Sequence, residues 1–277
     1  MSWKCRDARL PVGDRTYVMG VLNVTPDSFS DGGQFLDRRA AVDQAERMLA
    51  EGADIIDIGG ESSRPGAAEV PLEEELNRVI PVVEAIAART GAVVSIDTTK
   101  ADVARAACEA GAAIVNDISA MRFDPKMPEV VAGYRAGVVL MHMLGSPRTM
   151  QKDPSYADVV AEVKRALVGW AEQAQSQGIP RECIAVDPGI GFGKTVAHNL
   201  SLLKATADLR ETGYPVLIGA SRKSFIGATL DVPVGQRLEG TSAVVAWSVA
   251  QGAAIVRVHD VEQMVQVVRM TEAIRNA

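Results

Sequence analysis

From Tyr17 onward the sequence repeats one phrase: a short apolar run, a polar loop, an amphipathic stretch, a glycine, and the next apolar run. The glycines constrain the fold most. Gly52, Gly91, Gly111, Gly137, Gly178, Gly213 and Gly252 stand one at each return from an amphipathic stretch to an apolar run. A helix that turns back into a sheet commonly ends in a left-handed residue, a conformation glycine takes without steric cost. The pattern predicts strands over 17–22, 54–58, 93–97, 114–117, 138–142, 184–187, 216–219 and 254–258. Helices are expected over 37–51, 72–90, 101–110, 128–136, 156–177, 197–212, 237–251 and 261–276, with Asp37, Thr99 and Asp260 as caps.

Eight strands alternating with helices in a chain of 277 residues argue for an α/β protein, a (β/α)8 or TIM barrel over residues 17–277. A doubly wound open sheet is the alternative, but the first strand-to-helix loop carries no GxGxxG. Residues 1–16 read as a leader or small hairpin turning at 12–14, with no evident chemistry.

Composition then limits the function. A hydrophobic content of 47% and a mean hydropathy near zero suit a soluble globular chain with a large core. The net charge of -6 leaves no overall basic field for nucleic acid or an anionic membrane. The longest apolar run, 243–256, is broken by Ser248, Gln251 and Gly252, and reads as helix, turn and strand rather than a membrane span. Cys5, Cys108 and Cys183 form no CxxC, so neither a disulfide framework nor a zinc site is indicated and a cytoplasmic location is expected.

Active sites of such barrels form at the carboxyl ends of the strands. Those ends read Asn23, GGESSRPG (59–66), Asp97, Asn116 with Asp117, His142, DPGIGFGK (187–194), ASRKS (220–224) and RVHD (257–260). Each alone has a bland reading as a helix cap or loop bond, the better one for Asp117 and Asp260. Eight polar ends together ask for a site. The loop from Asn23 to Gly33 is too long for a minimal join, and is either functional or a surface connection.

Asp187 follows an apolar run that should hold its carboxylate near the mouth with little water, suited to two adjacent N–H donors such as an aminopyrimidine edge. Asn116 can complete recognition of the same ring, with Asp97 or Lys223 reaching its other heteroatoms. Arg257 and His259, two apart on the last strand, form an anion seat with the start of the final helix, on the cavity wall opposite Asp187 and Asn116. Asn23 is a weak metal ligand alone, but one oxygen suffices for magnesium facing a pyrophosphate. Met141, Met143, Met150 and Phe192 read as apolar lining, and Phe192 and Phe29, both on glycine-rich loops, are placed to cover an aromatic ligand. No HExxH, no GxSxG with a plausible histidine and no P-loop occurs, so nucleophilic hydrolysis and ATP-driven chemistry are unsupported.

These motifs resemble those of the dihydropteroate synthase family. The matching segments are NVTPDSFSDGG (23–33), GGESSRPG, VSIDTTK (94–100), VNDIS (115–119), LMHM (140–143), DPGIGFGKT (187–195), SRKSFIG (221–227) and RVHDV, in family order over nearly all of 17–277. The resemblance implies condensation of 6-hydroxymethyl-7,8-dihydropterin diphosphate with 4-aminobenzoate, giving 7,8-dihydropteroate and pyrophosphate. By it, Asp97, Asn116, Asp187 and Lys223 hold the pterin, while Asn23, Arg257 and His259 hold Mg2+ or the diphosphate. Ser63, Arg64, Pro65, Phe29, Phe192 and Ser224 shape the aminobenzoate pocket, Met141 and Arg222 join the binding set, and Asp27 joins Asp97, Lys223, Arg257 and His259 as catalytic. Ser63 stands where threonine is common, and Leu144 replaces a frequent glutamine. A homodimer is expected, with the face around Val244, Val245 and Trp247 as its surface. A corrinoid-dependent pterin methyltransferase and a non-catalytic pterin-binding partner are the rival readings; the full TPDSFSDGG loop and the SRK cluster speak against the first.

Overall fold

The computed structural model describes residues 2–25, 33–62, 67 and 69–277, and for 33–37 the backbone alone. Two short strands, β1 (Ser2–Cys5) and β2 (Ala8–Pro11), pair antiparallel. Eight parallel strands follow: β3 (Tyr17–Asn23), β4 (Ile55–Gly59), β5 (Val93–Asp97), β6 (Ile114–Asp117), β7 (Gly137–Met141), β8 (Ile184–Asp187), β9 (Leu217–Ile218) and β10 (Ile255–Val258). Their order is β8-β7-β6-β5-β4-β3-β10-β9. A parallel bridge between Val186 and Val216, with Val186 N–H donating to Pro215 O at 2.9 Å, brings the two outer strands together, so the sheet closes as the expected barrel.

The helices are α1 (Gly33–Ala50), α2 (Leu72–Thr90), α3 (Ala101–Glu109), α4 (Met127–Tyr134), α5 (Val159–Ser176), α6 (Val196–Lys204), α7 (Thr206–Arg210), α8 (Ser224–Leu230), α9 (Leu238–Ala250) and α10 (Val261–Arg275). Two depart from expectation. The helix expected over 197–212 breaks at Ala205, where the Thr206 hydroxyl takes up the Leu203 carbonyl at 2.8 Å. The short α8 lies inside what read as a loop.

The expected caps fail. Asp37 lies within α1, the residue preceding α3 is Lys100 rather than Thr99, and Asp260 turns its carboxylate to Arg222. Asp158 and Thr195 do cap, accepting from backbone N–H groups of α5 and α6, and Asp124 accepts from Ala101 N–H at the start of α3.

Six of the seven join glycines have positive φ; Gly137 does not, and Arg135 takes the left-handed turn at φ 51°. Gly137 is glycine for space. A Cβ there would lie 2.5 Å from Cys5 Sγ and 3.3 Å from the Trp3 ring. The reason is the hairpin, which turns at Arg6 and Asp7 rather than at 12–14 and seals the amino end of the barrel. Trp3 and Cys5 are fully buried among Met19, Ile55, Ile114, Val139 and Ile255, and Trp3 Nε1 donates to Cys183 O at 2.9 Å. Burying such a ring contributes roughly 1.5–3 kcal/mol.

Side chains alternate along a strand, so the residues two places above this floor face the same interior. Above Ile55, Ile114, Ala185 and Ile255 stand Asp57, Asn116, Asp187 and Arg257. An apolar floor therefore carries a polar layer. The candidate dimer face is also corrected: Val245 is buried and Val244 packs against the core, which leaves Trp247 as its exposed member. No described helix is long and apolar enough to cross a membrane.

Candidate active site

Arg257 is the hub of the polar layer. Its Nε donates to Asp57 Oδ2 at 2.6 Å and its Nη2 to Asp97 Oδ2 at 2.7 Å. Asn116 Nδ2 donates to the same Asp57 oxygen at 3.1 Å. Strand order places β6 diametrically across the barrel from β10, so Asn116 does face Arg257 as expected. Asp187 does not. Its strand β8 is only two places from β10, and a Cβ added at Gly219 between them would lie 3.7 Å from Arg257 Cβ and 3.8 Å from Asp187 Oδ2.

Burial raises Asp97 to about 7 against the opposing pull of Arg257. It raises Asp187 too, opposed by the Lys223 charge and by the Gly189 N–H that donates to Oδ1 at 2.7 Å. Lys223 is pushed down to about 8 by burial, with Asp187 pulling it back. For Arg257 burial acts downward but the Asp57 and Asp97 charges outweigh it, and the guanidinium stays protonated. Near neutral pH the polar layer thus sets carboxyl groups against the Arg257 and Lys223 cations.

Lys223 donates to Ile190 O and lies 4.4 Å from the Phe192 ring centroid. Phe192 in turn packs with Met141, Met143 and Met150 in a separate apolar cluster at the mouth, as the lining reading expected. An apolar cluster therefore stands next to the polar layer, with Lys223 in contact with both.

The anion seat is only partly charged. His259 N–H donates to Ser221 Oγ at 3.2 Å, and Nδ1 lies 3.1 Å from that oxygen. Burial and the neighbouring Arg257 and Arg222 charges push His259 down to about 4, so it offers a hydrogen bond rather than a charge at pH 7. Arg222 is turned away, with Nε donating to Asp260 Oδ2 at 2.9 Å. Ser224 opens α8 and is exposed. Asp27, Phe29, Ser63, Arg64 and Pro65 lie outside the described residues.

Asn23 ends β3 beside Gly59 with its side chain partly buried. Among the described residues no three His, Cys, Asp or Glu side chains gather to hold a metal. The side-chain oxygen of Asn23 is a neutral donor of the kind magnesium takes alongside water and substrate phosphate.

The pterin binding enzyme family model matches residues 19–259. Dihydropteroate synthase of Synechocystis sp. is 48% identical over 263 residues, covering 95% of this chain and 91% of the relative, and that of Escherichia coli K12 is 49% identical over 261 residues, covering 94% and 92%. The chain belongs to the dihydropteroate synthase family of pterin-binding enzymes. Among solved members of that family, Yersinia pestis dihydropteroate synthase in a sulfonamide complex superposes with TM-score 0.94 at 45% identity, covering all of both chains. The Xanthomonas albilineans enzyme with 4-aminobenzoic acid gives 0.93 at 45%, covering 100% of this chain and 98% of that one.

Within this dihydropteroate synthase fold, sequence reading passed over two buried groups and a partly buried one. Asp57 sits inside a strand rather than at its end, but its alternation with Ile55 marks it as facing the interior. Lys194, almost fully buried, meets His142 Nδ1 at 3.0 Å and donates to Phe192 O at 2.9 Å, which ties the Phe192 loop to the end of β7. Lys100 is bonded to Glu61 and Glu75. No local pattern announced the last two, because Glu75, Glu61 and His142 stand 25, 39 and 52 residues away in the chain.

Proposed function

We propose that the chain condenses 6-hydroxymethyl-7,8-dihydropterin diphosphate with 4-aminobenzoate to give 7,8-dihydropteroate and pyrophosphate. The observation that carries this reading is the convergence of Asp57, Asp97, Asn116 and Arg257 over an apolar floor, with Asp187 and Lys223 beside them. A pterin offers adjacent ring N–H and amino donors, which suit Asp187, and heteroatoms that suit Asn116 and Lys223.

The bond from the methylene carbon to the diphosphate oxygen breaks, the aniline nitrogen forms the new C–N bond, and its proton leaves to solvent. The two electrons of the broken bond stay on pyrophosphate. Asp97 and Asp187 stabilise positive charge as it develops on the ring, and Arg257 with His259 takes up the leaving group. Magnesium, when bound, would be held at Asn23 and would offset charge on the diphosphate oxygens. No protein nucleophile is required; alignment of the amine and exclusion of water do the rest. Phe29, Ser63, Arg64, Pro65, Phe192 and Ser224 are assigned to the aminobenzoate side, Asp27 to the catalytic set and Met141 to the pterin, while Arg222, bonded to Asp260, holds the turn before α8.

The buried, unpaired Cys5, Cys108 and Cys183 support a reducing cytoplasm. The exposed Leu230, Val234 and Trp247 support self-association as a homodimer through α8, α9 and the turn between them. The deciding experiment couples pyrophosphate release to a colour change. Release that depends on both the pterin diphosphate and 4-aminobenzoate is expected, and release independent of 4-aminobenzoate would overturn the reading.

A further inference from the structure

Lys100 immediately precedes α3, three residues after Asp97. Its Nζ donates to Glu61 Oε2 and to Glu75 Oε2, each at 2.5 Å. Glu75, in the first turn of α2, is 1% exposed, and its second oxygen accepts from Thr98 Oγ1 at 2.7 Å. Arg78 of the same helix donates to Gly60 O at 2.7 Å. The root of the β4–α2 connection, Gly60 and Glu61, is therefore tied to α2 by one cation and to the β5–α3 turn by another. Glu61, Glu75, Asp97 and Lys100 all line one cavity of about 450 Å³ that opens beside the polar layer.

Glu61, Glu75 and Lys100 are two carboxylates and one ammonium that the condensation does not use directly. An exposed ion pair would carry little meaning. A carboxylate as buried as Glu75 is different, because without Lys100 its charge has Thr98 as its remaining neutral partner and acts across the cavity on Asp97. Asp97 is faced by the cations Arg257 and Lys223 and by the anions Asp57, Glu75 and Asp117. Lys100 is faced by Glu61 and Glu75.

We infer that Lys100 is a positioning residue of the condensation: through Glu61 it fixes the root of the segment leading to Ser63 and Arg64, and through Glu75 it cancels a negative charge beside Asp97. The inference rests on the proposed function, in which Asp97 works as a carboxylate and residues 63–65 shape the aminobenzoate side. Removing Lys100 adds an uncompensated anion near Asp97, so Asp97 should hold its proton to higher pH.

The test uses the full-length chain with Lys100→Met, Lys100→Arg, Glu61→Gln and the double variant Lys100→Met with Glu75→Gln. Lys100→Met is expected to raise KM for 4-aminobenzoate about tenfold and to move the acid limb of kcat/KM for the pterin diphosphate up by about half a pH unit. Lys100→Arg should restore the limb. The double variant removes both charges, so its limb returns to the parental position while KM stays high. It also keeps the test alive if Lys100→Met alone does not fold, and Glu61→Gln, on a partly exposed residue, should raise KM without moving the limb. Parental KM and limb in folded Lys100→Met, or a parental KM in the double variant and in Glu61→Gln, would overturn the inference. A parent chain that fails to consume 4-aminobenzoate would instead bring down the condensation reading itself.

Discussion

Arg257 and Asp57 lie 200 residues apart in the chain and 2.6 Å apart in the barrel. Asp57 is completely buried, and its Oδ2 serves both Arg257 and Asn116 while Oδ1 has no partner among the described residues. One carboxylate oxygen therefore orients a donor on each side of the barrel. A buried charge so placed is kept in position by its partners and in turn fixes theirs.

Replacing Asp57 by Asn removes the charge while keeping the shape. Arg257 then retains Asp97 as its hydrogen-bonded carboxylate, and its direction toward a leaving group loosens. The expected result is a loss in kcat/KM for the pterin diphosphate of about 10- to 100-fold, with secondary structure by circular dichroism unchanged. An Asp57→Asn chain with parental kcat/KM would show that Asp57 is packing alone.

The pH profile follows from two shifted groups. Asp97, raised to about 7 by burial, is predominantly an anionic carboxylate only above that pH. Lys223, lowered to about 8 by burial, is a cation only below it. Activity requiring both should be bell-shaped in kcat/KM with its maximum between pH 7 and 8. Asp97→Asn should abolish the acid limb together with most of the activity, and a flat parental profile from pH 6 to 9 would rule the assignment out.

Much of this arrangement was written in local pattern. The strands carrying Asp97, Asn116 and Asp187 could be placed because short apolar runs stop at polar residues, and the end of α2 was marked by Gly91. What escaped was set by partners far away. Gly137 looked like the other join glycines, yet its reason is Cys5, more than a hundred residues earlier. Arg222 read as a ligand-facing cation in an SRK cluster, yet its left-handed backbone, φ 58°, and Asp260 turn it aside. Lys194 looked like an ordinary loop lysine until His142 was brought to 3.0 Å from it.

That buried His142 makes a prediction about stability. Burial, reinforced by the Lys194 and Arg122 charges, lowers it to about 3, and its ring stacks on Trp170 with centroids 5.6 Å apart. Between pH 6.5 and 3 the unfolded chain binds a proton there that the folded chain refuses, so stability falls as the pH falls through that window. One such group contributes roughly 1.4 kcal/mol per pH unit below 6.5. His259, lowered to about 4 mainly by burial, adds to the same trend over a narrower range. Thermal midpoints measured from pH 7 to pH 4 should decline less steeply in His142→Gln than in the parent. Parallel declines would mean that other groups govern acid unfolding.

The hairpin offers a separable test, because it seals the end of the barrel remote from the polar layer. Trp3 is fully buried there, bonded through Nε1 to Cys183 O. Trp3→Ala should cost about 3–5 kcal/mol, seen as a lower midpoint in urea with an unchanged slope. The strand ends that carry Asp97, Asn116 and Arg257 are two layers above, so kcat/KM of the folded fraction should stay within about twofold of the parent, as expected for sites that share no partner. Gly137→Ala should weaken the chain by the same route, since the added methyl would meet Cys5 Sγ at 2.5 Å. In that variant Cys5→Gly should recover part of the lost stability, because it removes the atom the methyl strikes. Loss of activity in Trp3→Ala at temperatures where the chain remains folded would show that the floor and the site are mechanically coupled.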